Sequence, residues 1–208
     1  MTIDEIVQRV RQRSVRLASG LAVDPPPLGS DLSLSGIAAE PQSWRPASVL
    51  VPLIDRAPGI TVLLTQRTDD MPSHAGQIAF PGGRRQADDA DAVATALRET
   101  EEEVGLSRRF IDVVGAVDPY RTGTGYEITP IVGIVRPGFT IHADPREVAD
   151  VFEVPLEHFL DEVNHKIGSR MYNGRERRYY AMPYGERYIW GATAGMLKNL
   201  HFILTSAR

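Results

Sequence analysis

The chain has 208 residues, a net charge of −4 and no cysteine. That length fits one domain able to bury most of its apolar surface, and the missing cysteine excludes disulfides, thiolate metal sites and a cysteine nucleophile. Hydrophobic content of 42% and charged content of 24%, without a long basic stripe or a continuous apolar run, point to a globular cytoplasmic protein and away from nucleic-acid binding, a signal peptide or a membrane span.

Residues 3 to 19 carry Ile3, Ile6, Val7, Val10 and Leu17 on roughly one stripe, the spacing of a helix. "DPPPLGSDLSLSG" reads as an irregular connector, so that residues 1–45 form an N-terminal helix and linker ahead of a domain at 46–208. "ASVLVPLID" and "GITVLLTQR" are β-branched runs joined by "RAPG", a strand–turn–strand signal. "GQIAFPGG" predicts a third strand ending in a tight glycine turn. From Asp89 to Val104 the composition favours helix, which Gly105 stops. "FIDVVGAVDPY" and "YEITPIVGIVRP" predict two more strands. "VADVFEVPLEHFLDEV" predicts a strand running into a helix. "RMYNGRERRYYAMPYGERYIW" predicts a hairpin around Asn173-Gly174, and "GATAGMLKNLHFIL" a closing helix. This order argues for an α/β sandwich with a mixed sheet.

The run "ALRETEEEVGL" places four glutamates within five positions. On a helix Glu99, Glu102 and Glu103 share one face, and Glu101 points elsewhere. Like charges at this spacing repel, and they lie toward the helix end whose dipole disfavours anions. A solvated acidic face is the plain reading. A hard divalent cation such as Mg²⁺, which takes carboxylate, water and phosphate oxygens, is the chemical one. The turn "FPGG" just upstream favours the second, because backbone N–H groups in such turns receive phosphate oxygens.

"GGRRQADDADAVATALRETEEEVGL", Gly82 to Leu106, resembles the Nudix box, G-x5-E-x7-R-E-U-x-E-E-x-G-U with U a bulky aliphatic residue. Arg98-Glu99, Glu102-Glu103 and Gly105-Leu106 match. Gly83 matches the leading glycine with one extra residue before Arg98. Thr100 takes a U position, and the isolated glutamate falls on Ala90, flanked by Asp89 and Asp91. "LLTQRTDDMPSHAGQIAFPGG" is similar to the signature of the coenzyme A pyrophosphatase branch, L-L-T-x-R-[S/A]-x3-R-x3-G-x3-F-P-G-G. Leu63, Leu64, Thr65, Arg67, Gly76 and Phe80 to Gly83 match. Thr68 replaces a small residue, and Pro72 replaces an arginine suited to bidentate phosphate contact. "REVADVFEVPLEHFL", Arg146 to Leu160, and the "IWGATAGML" helix also look like this branch, so the likeness runs from about residue 46 to 204.

The resemblance implies a Nudix-type α/β/α sandwich with a central mixed sheet and an added N-terminal helix. It implies a diphosphatase using Mg²⁺ or Mn²⁺ on a small nucleotide-type substrate. The expected substrate is coenzyme A or its derivatives, giving 3′,5′-ADP and a phosphopantetheine product. An ADP-sugar or dinucleotide is the alternative, and a non-catalytic nucleotide-binding module a further one. Metal ligands would be Glu99, Glu102 and Glu103, with Arg98 orienting a carboxylate. Gly82 and Gly83 would let the backbone meet phosphate. Glu102, Glu103 or Glu127 would act as base. Arg67 is either a phosphate contact or half of a surface salt bridge. His74 touches substrate or is satisfied locally. "RERR" at 175–178 either grips an extra ribose phosphate or solvates a hairpin edge. The C-terminal tyrosines stack on a base or pack internally, and with the family likeness they make a homodimer the expectation. His142, His158, His165 and His201 are scattered and suggest no zinc site.

Overall fold

The computed structural model describes residues 1–19, 29–36, 43–70, 74–172 and 174–206. Most of the predicted connector and Pro72 lie outside these. Helix α1, Ile3–Ala18, begins at a capping box: the Thr2 hydroxyl accepts from Glu5 N–H, and the Glu5 carboxylate accepts from Thr2 N–H. Its stripe buries Ile6 and Val10 completely. The next position on that stripe is Arg13, also buried, paired in bidentate fashion with the fully buried Asp118.

Strands β1 (Arg45–Ile54) and β2 (Thr61–Arg67) form the expected antiparallel pair, Leu53 opposite Val62. The single strand predicted over "GQIAFPGG" is instead two: β3 (Ile78–Ala79) on β2, and β4 (Gly82–Arg84) on β1. Between them the chain crosses from one neighbour to the next, and Leu50 N–H donates to the Pro81 carbonyl at the crossing. Helix α2, Ala92–Val104, runs from its N-cap Asp91 to Gly105 in the left-handed conformation at φ 67°. There a Cβ would come within 3.0 Å of His142. Strands β5 (Ile111–Ala116), β6 (Tyr120–Arg121), β7 (Tyr126–Val135) and β8 (Val148–Pro155) follow. A short helix α3 (Leu156–Leu160) leads to the hairpin β9 (Lys166–Tyr172) and β10 (Arg175–Ala181), and α4 (Ala192–Thr205) closes the fold.

Among the described residues, eight strands form one mixed sheet in which β1 and β7 pair in parallel and the other pairings are antiparallel. The period of two along β1 sends Val49, Val51 and Leu53 to one face and Leu50 and Ile54 to the other. The first set packs with Ile6, Val10, Met196, Leu197 and Leu200, beneath α1 and α4. The second packs with Ala96, Val104 and Leu106, beneath α2. Helices therefore cover both faces, the α/β/α sandwich expected. Burial of this much branched apolar surface, at roughly 25 cal/mol per Å², is what holds the layers together. Among the described residues no helix is long and apolar enough to cross a membrane.

Candidate active site

The inner face of α2 and the strand pair β1–β4 build the site. Thr100, in place of a bulky aliphatic, is fully buried and donates its hydroxyl to the Ala96 carbonyl at 2.7 Å, so it fills a core position with its polarity satisfied. This seats α2 with Glu99 and Glu103 turned toward β4. Glu103 is buried, and its carboxylate accepts from Gly82 N–H at 3.1 Å. Arg67 Nη1 stands 3.7 Å from the same carboxylate, and Arg67 Nε is buried without a hydrogen-bond partner. The exposed-salt-bridge reading of Arg67 is thereby corrected: its partner is a buried box carboxylate.

The two glycines make close approach possible. A Cβ at Gly82 would fall 2.4 Å from the Ser48 carbonyl oxygen. One at Gly83 would fall 2.6 Å from the Glu99 carboxylate. Gly83→Ala is expected to push that flexible carboxylate aside. Turnover should fall by about 10²-fold, the scale of a misplacement near 1 Å, while the melting temperature barely changes. A paired activity assay and thermal melt checks this.

Arg98 is the hub that orients the cluster. Its guanidinium lies 2.9 Å from Glu99 and 2.8 Å from Glu102. It also donates twice to Asp89, each at 2.9 Å. Asp89 further accepts from Gln86 N–H and the Thr95 hydroxyl. The Arg98 bonds above all hold its pKa well below the usual carboxylate range. Asp91 instead caps α2, accepting from Ala94 N–H. Of the two aspartates flanking Ala90, Asp89 is thus the one engaged with the box. Glu102 is mostly exposed, and Glu101 is turned away to bind Arg108.

Glu99 and Glu103 both carry raised pKa values, Glu103 to about 7, with burial the main cause in each case. The carboxylates of Glu99 and Glu147 act on Glu103 in the same direction, and Glu147 also raises Glu99. Glu147 is a residue to which sequence reasoning gave no role, although its segment "REVADVFEVPLEHFL" carries part of the family likeness. It reaches the site because the loop before β8 docks on the end of α2. His142 N–H donates to the Val104 carbonyl and Asp144 N–H to the Glu103 carbonyl. Glu127 is engaged elsewhere, paired with Arg121 at 2.8 Å on the margin of the sheet. Its neighbours Tyr126 and Ile128 face the adjoining cleft.

That cleft has a volume of about 630 Å³, and Arg67, Gly82 and Gly83 line it. Arg170, Arg177 and Tyr179 of the β9–β10 hairpin line it as well. The solvated-edge reading of "RERR" is corrected for Arg177, which is half-buried in the cleft wall; Arg175 and Glu176 are exposed as expected. The tyrosines divide. Tyr120 is wholly core, Tyr126 and Tyr179 line the cleft with Trp190, and Tyr184 and Tyr188 are exposed. His74 lines the cleft too, with Nδ1 2.9 Å from the Gln77 side-chain oxygen.

Residues 44–173 match the NUDIX domain family. The chain belongs to the Nudix family. It is 42% identical over 156 residues to the Nudix hydrolase NudL of Photorhabdus laumondii, covering 75% of this chain and 83% of that protein. It is 39% identical to the NudL of Citrobacter koseri, covering 79% and 85%. Among solved structures, a Caenorhabditis elegans Ap4A hydrolase binary complex aligns at 19% identity with TM-score 0.47, covering 53% of this chain and 80% of that one. This Nudix hydrolase therefore acts on diphosphate substrates, and enzymes of the family generally use divalent metal ions.

The histidines were not all scattered. Ligand atoms of Glu162, His165 and His201, the last on α4, lie within 4.8 Å of one another. His165 Nε2 donates to the Phe159 carbonyl, so its Nδ1 lone pair faces the group and accepts from the Lys198 ammonium at 2.9 Å. Lys198 also lies 3.3 Å from Glu162. The chain itself supplies a cation to this cluster.

Proposed function

We propose that this Nudix hydrolase cleaves the diphosphate of coenzyme A or its derivatives, giving 3′,5′-ADP and a (acyl-)phosphopantetheine, with Mg²⁺ or Mn²⁺ held by Glu99, Glu102 and Glu103. The observation that carries the reading is buried Glu103 accepting from the N–H of Gly82, a glycine that lines an arginine- and aromatic-bordered cleft. The donor set fits a hard cation: all ligands are carboxylate oxygens, and burial strips Glu99 and Glu103 of the water that would otherwise solvate their charge. Such a cation, when bound, neutralises the diphosphate and lowers the pKa of attacking water.

The chain's own residues do the positioning. Arg98 fixes Glu99 and Glu102, and Asp89 fixes Arg98. Gly82 and Gly83 pack against β1 and the Glu99 carboxylate where a Cβ would clash, and their backbone borders the cleft where the phosphates would lie. Arg67 neutralises charge beside Glu103. Glu147 adds a carboxylate from outside the box, placed to bind or to accept a proton. Glu147→Gln is expected to lower kcat by on the order of 10²-fold, and Glu127→Gln to leave it near the parent value. Steady-state assays of both variants decide between the two glutamates.

The test is product analysis with coenzyme A, ADP-ribose, NADH and diadenosine polyphosphates, each with Mg²⁺ or Mn²⁺. Metal-dependent 3′,5′-ADP, formed faster than the other products, supports the reading. Pro72, where the branch signature has arginine, favours the second reading of another nucleoside diphosphate derivative. Cleavage of such a compound with coenzyme A intact would select it. A non-catalytic module is disfavoured by the survival of Arg98, Glu99, Glu102 and Glu103 together.

A further inference from the structure

The hairpin β9–β10 faces the site with a pattern that diphosphate cleavage alone does not require. In its register Arg177 stands directly opposite Arg170, and Tyr179 opposite Gly168. Side chains alternate along a strand, so Arg170, Arg177 and Tyr179 share one face, and all three line the cleft. A Cβ at Gly168 would lie 2.6 Å from the Tyr179 ring, so the missing side chain lets that ring lie against the strand. Tyr179 then packs on Trp190 with centroids 4.8 Å apart, and the Arg170 guanidinium sits 4.6 Å from the Trp190 ring. The Ser35 hydroxyl accepts from Arg178 N–H and ties β10 down.

Two guanidiniums placed opposite each other on one face repel in isolation, and together they present paired forks suited to the oxygens of one phosphate. Indole and phenol rings beside them suit a nucleobase. The scissile diphosphate would sit against Gly82 and Gly83, which line the same cleft as the hairpin residues. We propose that Arg170 and Arg177 bind a second, non-reacting phosphate of the substrate, a phosphomonoester on the ribose, with Tyr179 and Trp190 beside the base. This inference rests on the diphosphatase reading above and assigns its specificity to the hairpin. The substrate class is a nucleotide that bears a ribose phosphate in addition to its diphosphate.

The experiment compares molecules differing only in that phosphate. Coenzyme A and dephospho-coenzyme A are assayed with the parent enzyme, Arg177→Gln, and Arg170→Gln/Arg177→Gln. The parent is expected to favour coenzyme A by ~10-fold or more in kcat/KM, through KM, on the scale of one charge-assisted contact. The double variant should bring the ratio near one by losing far more on coenzyme A than on dephospho-coenzyme A, and a thermal melt shows that it is folded. A ratio unchanged in the double variant, or equal losses on both substrates, overturns the assignment. Calorimetric titration of metal-free protein with 3′,5′-ADP and 5′-AMP separates this from the catalytic reading. Tighter binding of 3′,5′-ADP, lost in the double variant, supports the hairpin site even if coenzyme A is not cleaved. Equal affinities in the parent overturn it whatever is hydrolysed.

Discussion

Replacing Glu103 with glutamine is expected to lower kcat by on the order of 10³-fold, within the range that an essential ionisable group contributes, and at the same time to stabilise the metal-free protein at pH 8. The two effects have one cause. Glu103 is 4% exposed, and burial raises its pKa from an ordinary 4.5 to about 7. A carboxyl whose folded pKa lies above its unfolded value binds its proton more tightly when folded. Its contribution to stability is full below pH 4.5 and disappears as pH climbs through 7. Glutamine keeps an oxygen for Gly82 N–H and cannot ionise, so that loss vanishes. Melts in EDTA should show parent and variant alike at pH 5, and the variant higher at pH 8. Adding Mg²⁺ at pH 8 should raise the parent and leave the variant nearly unmoved. A Glu103→Gln enzyme with parental turnover would remove Glu103 from the machinery.

Asp118→Ala is expected to cost about 3–5 kcal/mol, because it leaves the Arg13 guanidinium buried without its counter-charge. Arg13 Nε and Nη2 lie 3.0 and 2.8 Å from the two Asp118 oxygens, with the side chains 7% and 0% exposed. For a chain of this length the loss corresponds to a fall in melting temperature of roughly 10 °C. The apolar double replacement Arg13→Met/Asp118→Leu should recover most of it, since a well-packed hydrophobic pair often matches a buried ion pair. Denaturant titration of the three proteins measures this. A fall below 1 kcal/mol for Asp118→Ala would mean that α1 can release Arg13 to water at little cost.

Much of the site was legible along the chain because helix geometry is local. Three glutamates at spacings of three and four must share a face, Gly105 must end the helix, and the glycine pair must allow close backbone approach. The same local rules predict α1, α2, α4 and the β1–β2 pair, while helices on both faces of the sheet are what the family likeness implies. Three features depended on residues far apart in sequence. Arg13 interrupts the apolar stripe of α1 and looks like an error in it until its partner, 105 positions away, is known. Glu147 joins the carboxylates only because a loop hydrogen-bonds across the end of α2. Arg177 reads as an edge charge until strand register sets it opposite Arg170 and turns both into the cleft. By itself the sequence determined the carboxylate face and most of the helices and strands, which follow from short-range spacing, and it carried the motifs in which the family likeness lies. The tertiary structure alone decided which distant charges meet, because burial and electrostatic coupling depend on distance in space and not on separation along the chain.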